Sequence, residues 1–174
     1  MATARIFVWY GDETDPATNA PAAVASEASG AAAPTNGQQL RRRHRAFDST
    51  TDEGIFLIFT LPSNYSSGGT LSFRWTTNAT SGNVIWKTGY ALSTVGTTDF
   101  DGLAIGTVTA AAASAANATA GVETAVSIDL GVTGAVAGNI LYVYLGRDAD
   151  NASDTVNAND AELAEPILLT FTTV

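Results

Sequence analysis

The single histidine of this 174-residue chain lies in the run Leu40–Phe47, LRRRHRAF, beside Arg41, Arg42, Arg43 and Arg45. An imidazole acts as a general base only if its protonated form is tolerated, and neighbouring positive charge disfavours that form. The run is therefore poor in acid–base chemistry. It is better suited to holding carboxylates, which the planar arginine fork binds well. Extended chain would put Arg41, Arg43 and Arg45 on one face and Arg42 and His44 on the other. Two readings stay open: a docking strip for an acidic partner, or a solvated edge strand whose charges prevent edge-to-edge pairing.

A second cluster, Asp148, Asp150, Asp154, Asp160, Glu162 and Glu165, supplies oxygen ligands of the kind calcium takes. Its spacing fails the EF-hand pattern, because the fifth position falls on Ala152 and no glycine makes the sharp turn. The expectation is a long solvated loop with Arg147 folded back onto one or two aspartates, and no cofactor. Asp99 and Asp101 make a weaker case of the same kind. Trp75, Trp86, Tyr90, Tyr142 and Tyr144 invite a sugar-stacking reading, but Trp75 and Trp86 share strand faces with Phe73 and Val84. They are expected in the core, and Trp9 is expected at a contact between subunits. The Asn-x-Ser/Thr sequons at Asn64, Asn78, Asn117 and Asn151 match chance in so polar a chain.

Covalent catalysis has little to work with. The chain has no cysteine, no Gly-x-Ser-x-Gly elbow, no phosphate loop and no His-Glu-x-x-His. An enzyme is not expected, although paired carboxylates depend on distances that a sequence does not give.

The elements that must position these residues read as strands. Ala4–Tyr10 is a short apolar strand. Residues 14–38, punctuated by Pro16, Pro21, Gly30, Pro34 and Gly37, read as an extended arm; Ala22–Ser29 could hold two helical turns but lacks an apolar stripe. Then come Leu40–Phe47, Ile55–Leu61 ended by Pro62, and Thr70–Thr76 with Leu71, Phe73 and Trp75 on one face. Val84–Tyr90 should turn Val84, Trp86 and Tyr90 inward and Lys87 outward. Leu103–Val108 is a weaker strand. Val122–Leu130 sets Val126, Ile128 and Leu130 against Ser127 and Asp129. Ile140–Leu145 and Ile167–Phe171 complete the set, and Ala110–Ala120 reads as a long loop. Many short strands between turn signals give an all-β chain: a jelly-roll-like antiparallel β-sandwich over 39–174, with an extended N-terminal arm over 1–38.

Charge narrows the partners. Seventeen acids against eight bases leave a net charge of −9, which a phosphate backbone would repel, so no nucleic acid is expected. No apolar run approaches a membrane span, and the first residues lack the basic-then-apolar order of an export signal.

From Phe47-Asp48 onward the chain carries an ordered series: Asp52-Glu53, the apolar Ile55–Leu61, Pro62, Tyr65, Gly68-Gly69 and Phe73/Trp75. Gly82, Val84 and Trp86 follow, then Arg147-Asp148-Ala149-Asp150 and Asp160-Ala161 with Leu163. This series resembles a family of small jelly-roll structural proteins of tailed bacteriophage virions. The resemblance covers roughly residues 45–174. It implies a non-enzymatic virion component, a capsid decoration or head-fibre protein, that self-associates as a homotrimer and attaches to the major capsid protein. The residues expected to carry assembly are Phe7, Trp9 and Tyr10 on the N-terminal strand, then Arg41, Arg43 and Arg45. The alternative is a carbohydrate- or host-receptor-binding jelly-roll module of a tail appendage. That reading requires solvent-facing aromatics on one sheet or at a loop rim.

Overall fold

Alternation of apolar and polar residues places every second side chain on one face of a strand, and two such faces seal a core between them. The computed structural model describes residues 2–8, 20–21, 23–28 and 41–174. The described strands are, in chain order, β1 (Ala2–Val8), β2 (Ala20–Pro21), β3 (Ala23–Ala28), β4 (Arg41–Phe47), β5 (Glu53–Thr60), β6 (Tyr65–Thr76) and β7 (Asn83–Val84). They continue with β8 (Trp86–Ser93), β9 (Thr109–Ala110), β10 (Ser114–Ala115), β11 (Thr124–Asp129), β12 (Ile140–Arg147) and β13 (Ala161–Thr173). Among the described residues, no helix is long and apolar enough to cross a membrane.

One sheet runs β11-β6-β13-β4-β3, with β1 also on β13; the other runs β2-β5-β12-β8-β9. A two-stranded ribbon, β10-β7, lies apart from both. Setting aside β1, β2, β3 and that ribbon leaves eight strands, β4, β5, β6, β8, β9, β11, β12 and β13. Numbered one to eight, they order as 6-3-8-1 and 2-7-4-5. That is the order of a jelly roll, two Greek keys folded into facing sheets. The protein is an all-β sandwich.

The core forms where the expected faces meet. Leu71, Phe73 and Trp75 of β6 face Ile55, Leu57 and Phe59 of β5 and Leu141, Val143 and Leu145 of β12 across the sandwich, all buried. Trp75 and Trp86 are completely enclosed. The Trp86 ring meets Phe47, Phe73 and Trp75 edge-on, with centroids 5.2, 5.0 and 6.1 Å away. Such edge contacts suit the ring quadrupole. Trp75 Nε1 donates to Ser114 Oγ at 2.8 Å, tying the small ribbon to the core, whereas Trp86 Nε1 finds no acceptor.

The structure departs from the sequence expectations in five places, one being Ala110–Ala120, expected to be all loop, where Ser114–Ala115 pairs with β7 as β10. The arm is not wholly outside the sandwich: β3 pairs with β4 from Ala23 opposite Ala46 to Ala28 opposite Arg41. Consequently β4 lies between β3 and β13 and is not an edge strand. Leu103–Val108 forms no strand; it is loop, and only Thr109–Ala110 reaches the sheet. Lys87 points away from the core, as alternation requires, yet it is buried under two carboxylates and not in solvent.

Strand β13 is broken near its middle. Its ladder with β6 shifts between Ala164 and Leu168, around Pro166, which has no N–H to donate. The shift adds two residues on β13 (Ala164 to Leu168 against Arg74 to Ser72), so the faces stay in step: Leu163 before it and Ile167 after it both enter the core.

Candidate binding surface

Two charged clamps fix the loops around the second sheet. Arg147, at the end of β12, is wholly buried, and all five of its N–H groups are used. Nε donates to Asp154 Oδ2 at 3.0 Å and Nη2 to Asp154 Oδ1 at 2.8 Å and Val156 O at 2.6 Å. Nη1 donates to Phe47 O at 3.1 Å and Asn159 O at 3.2 Å. Asp154 Oδ2 also accepts the Ile85 N–H at 3.0 Å. One arginine thus joins the end of β4, the end of β12 and the loop 148–160. The expectation that Arg147 folds back onto an aspartate holds, and the aspartate is Asp154.

The second clamp is Lys87 on β8. Its ammonium is paired with Asp52, before β5, and lies 3.3 Å from Asp148, after β12. Burial alone would lower its pKa, but the hydrogen bond and charge of Asp52, with help from Asp148, win and raise it. Asp52 Oδ1 also accepts the Ala149 N–H at 2.8 Å. Carboxylate oxygens of Asp52, Asp148 and Asp150 lie within 4.8 Å of one another, the grouping a divalent ion would need. Lys87 already supplies the positive charge there, and a metal would have to displace it.

The nearby turn is braced by its own side chains. Asp48 Oδ1 accepts the N–H of Thr50 at 2.6 Å and of Thr51 at 3.0 Å, and the Thr50 hydroxyl at 2.6 Å. The Thr50 bonds hold the Asp48 pKa below its usual value. Glu53 Oε2 accepts the Asp48 N–H at 2.7 Å, but burial outweighs this and pushes the Glu53 pKa up.

Within these clamps lies the outer face of the second sheet. Strand register puts Phe56 and Ile58 of β5, Tyr142 and Tyr144 of β12, and Gly89 and Ala91 of β8 side by side on it. Outward sheet faces of sandwiches are ordinarily polar; this one is not. Tyr144 is folded down over Gly54 and Gly146, which have no Cβ to obstruct its ring, and is buried. Phe56 meets it edge-on at 5.7 Å. Ile105 and Val108, from the loop between β8 and β9, cover Gly89. The same loop carries Phe100, 68% exposed, with its ring edge-on to Tyr142 at 6.2 Å. Phe56, Ile58, Tyr142 and Phe100 make a partly solvent-facing apolar strip.

No family model and no curated protein matches this chain. Among solved structures it is similar to a carbohydrate-binding module, TmCBM61, in complex with β-1,4-galactotriose. That alignment covers 83% of this chain and 86% of the module, at 9% identity and a TM-score of 0.35. A likeness so distant carries no argument about ligand or partner; the fold rests on the strand order above.

Of the residues singled out for assembly, Trp9 and Tyr10 lie outside the described residues. Phe7 stands in β1, paired with Leu168, and its side chain is outside the description. Arg41 and Arg43 stand in β4 with the same restriction. Arg45 is half-buried, opposite Leu163 and on the same face as Phe47, which is the core side of the sheet. His44 is buried on the reverse face, 3.9 Å from Glu162. Of the outer-face strip, sequence reasoning singled out Tyr142 alone and missed Phe56, Ile58 and Phe100. The strip's signal is the unbroken apolar run Ile55–Phe59 and the alternating tyrosines of LYVYLG, which load both faces of a strand at once.

Proposed function

We propose that this chain is a non-enzymatic structural protein of a bacteriophage virion, a capsid decoration or head-fibre protein that self-associates and attaches to the particle. The observation that carries the reading is the apolar strip of Phe56, Ile58, Tyr142 and Phe100 on a face where a free-standing sandwich would carry polar residues. A contiguous apolar surface left partly open to solvent, with Phe100 standing exposed beside it, is suited to a contact. The groups best equipped for chemistry, Arg147, Lys87 and Asp154, are meanwhile consumed in holding loops. The resemblance of the motif series to that of virion jelly rolls supports the same reading, and here Asp48, Arg147 and Trp86 of that series brace a turn, a loop and the core.

A protein partner fits this strip better than a glycan. Sugar sites combine a ring face with hydrogen-bonding side chains, whereas Tyr142 has Ile58 and Ala91 as its cross-strand neighbours and Phe100 meets it edge-on. Burying a large side chain contributes about 1.5–3 kcal/mol, against about 0–1 kcal/mol for an exposed ion pair. The strip should therefore set affinity.

The test is cosedimentation of the full chain with heads of the encoding phage prepared without it. Phe100→Ser together with Tyr142→Ser should reduce bound protein at least about tenfold, the equivalent of ~1.4 kcal/mol, with the β-sheet circular dichroism unchanged. Undiminished binding by that variant, or no binding by the parent, would contradict the proposal.

A further inference from the structure

Strand β1 stands outside the jelly roll. The eight strands of the two Greek keys are complete without it, and its ladder partner among the described residues is β13 alone. That ladder is regular over seven pairs, from Ala2 opposite Thr173 to Val8 opposite Ile167. The Thr173 hydroxyl adds a bond to Ala2 O at 3.1 Å. β4 pairs with the first part of β13, residues 161–164, and β1 with the part from Ile167 onward. Pro166 and the register shift lie between them. The β1 site is thus a separate docking edge that neither β4 nor β3 helps to form.

We propose that β1 is an exchangeable strand: in the assembled protein the β1 of one copy occupies the edge of another copy's β13, in this same register. A second copy is the occupant because the edge already fits this sequence residue for residue. Exchange replaces each contact with an identical one, so its balance is set by the tether and by local concentration. The tether between Val8 and Ala20 is residues 9–19, eleven residues in the sequence. Fully extended, eleven residues reach at most about 36–40 Å, which sets the widest gap an exchanged strand could cross. This inference deepens the proposed function and rests on its self-association.

The test uses two full-length versions with different tags, one Thr3→Cys and one Thr172→Cys, coexpressed, purified and oxidised. The chain has no cysteine of its own, and Thr3 and Thr172 are opposite each other in the ladder. Thr3→Cys/Thr172→Cys in one chain, reduced, unfolded, refolded dilute and oxidised, serves to show that the pair can close. Exchange predicts a disulfide-linked species carrying both tags. Absence of the two-tag species overturns the exchange. Head cosedimentation is scored separately: a chain that attaches without a two-tag species loses this inference alone, and a two-tag species from a chain that does not attach contradicts only the virion reading.

Discussion

Arg147 and Lys87 show how a chain with so few bases spends two of them indoors. Burying a guanidinium is costly unless every donor is met, and here Asp154 and three carbonyls meet all five. Removing one partner leaves the other charge stranded. Asp154→Ala should therefore lower the unfolding free energy by about 3–5 kcal/mol; urea denaturation reads this, and a loss of under about 1 kcal/mol would show the clamp to be ornamental. Glu53 is the opposite case. Its pKa is raised by burial, so its favourable contribution is present below its usual 4.5 and is lost as pH rises through the folded value. Wherever it is ionised, the carboxylate sits in a site whose burial favours the neutral acid. Glu53→Gln, which keeps an oxygen for the Asp48 N–H, should leave the melting temperature at pH 7 equal or higher; a clear fall would contradict this. Lys87 has a folded pKa above its usual 10.5, so its contribution persists through neutrality and is lost only as pH climbs past that value into the folded range. Asp48 mirrors it: lowered from 3.8, its contribution is present above that pH and fades as acid carries it through the folded value. Stability should hold level from mildly acidic to about pH 10 as far as these two groups decide it, and a pH series of melts checks the plateau.

At the level of elements, the central strands were legible because their signal is local. Leu71, Phe73 and Trp75 alternate with Ser72, Arg74 and Thr76, and the core takes the first set. Val126 and Ile128 behave the same way, opposite Phe73 and Leu71. What stayed hidden depended on partners distant in the chain. Lys87 reads as a solvent residue until Asp52 and Asp148, 35 and 61 positions away, close over it. Ala23–Ala28 has almost no apolar pattern and becomes a strand because β4 offers it a ladder. Leu103–Val108 looks like a strand, yet Ile105 and Val108 lie across Gly89 as a loop. The outer-face strip needed register, since only pairing tells that Phe56 and Tyr144 are neighbours. Its glycines make a sharp test. A Cβ on Gly146 would sit 2.8 Å from Glu53 O and collide with the Tyr144 ring. Gly146→Ala should destabilise by about 1–3 kcal/mol and lift Tyr144 off the sheet, raising tyrosine exposure to quenchers. A silent substitution would mean the ring is not held there.

For the molecule as a whole, the jelly roll explains why so little regular strand supports so many loops. Two facing sheets enclose the indoles of Trp75 and Trp86, and clamps at Arg147 and Lys87 hold the surrounding chain against the second sheet. That leaves one sheet surface free to be apolar, with Phe100 standing beside it on a loop. The proposed particle role would use this arrangement of a stiff body with one apolar face, and the proposed exchange would add β1 as a link to a neighbour. A net charge of −9 makes copies of the chain repel one another at long range. The most direct measurement is a cryo-electron-microscopy map of the native particle at side-chain resolution. The account predicts this sandwich on the particle with Phe56, Ile58, Tyr142 and Phe100 covered by a neighbouring protein. Particles without it, or a bound sandwich whose second sheet turns that strip toward open solvent, would contradict it.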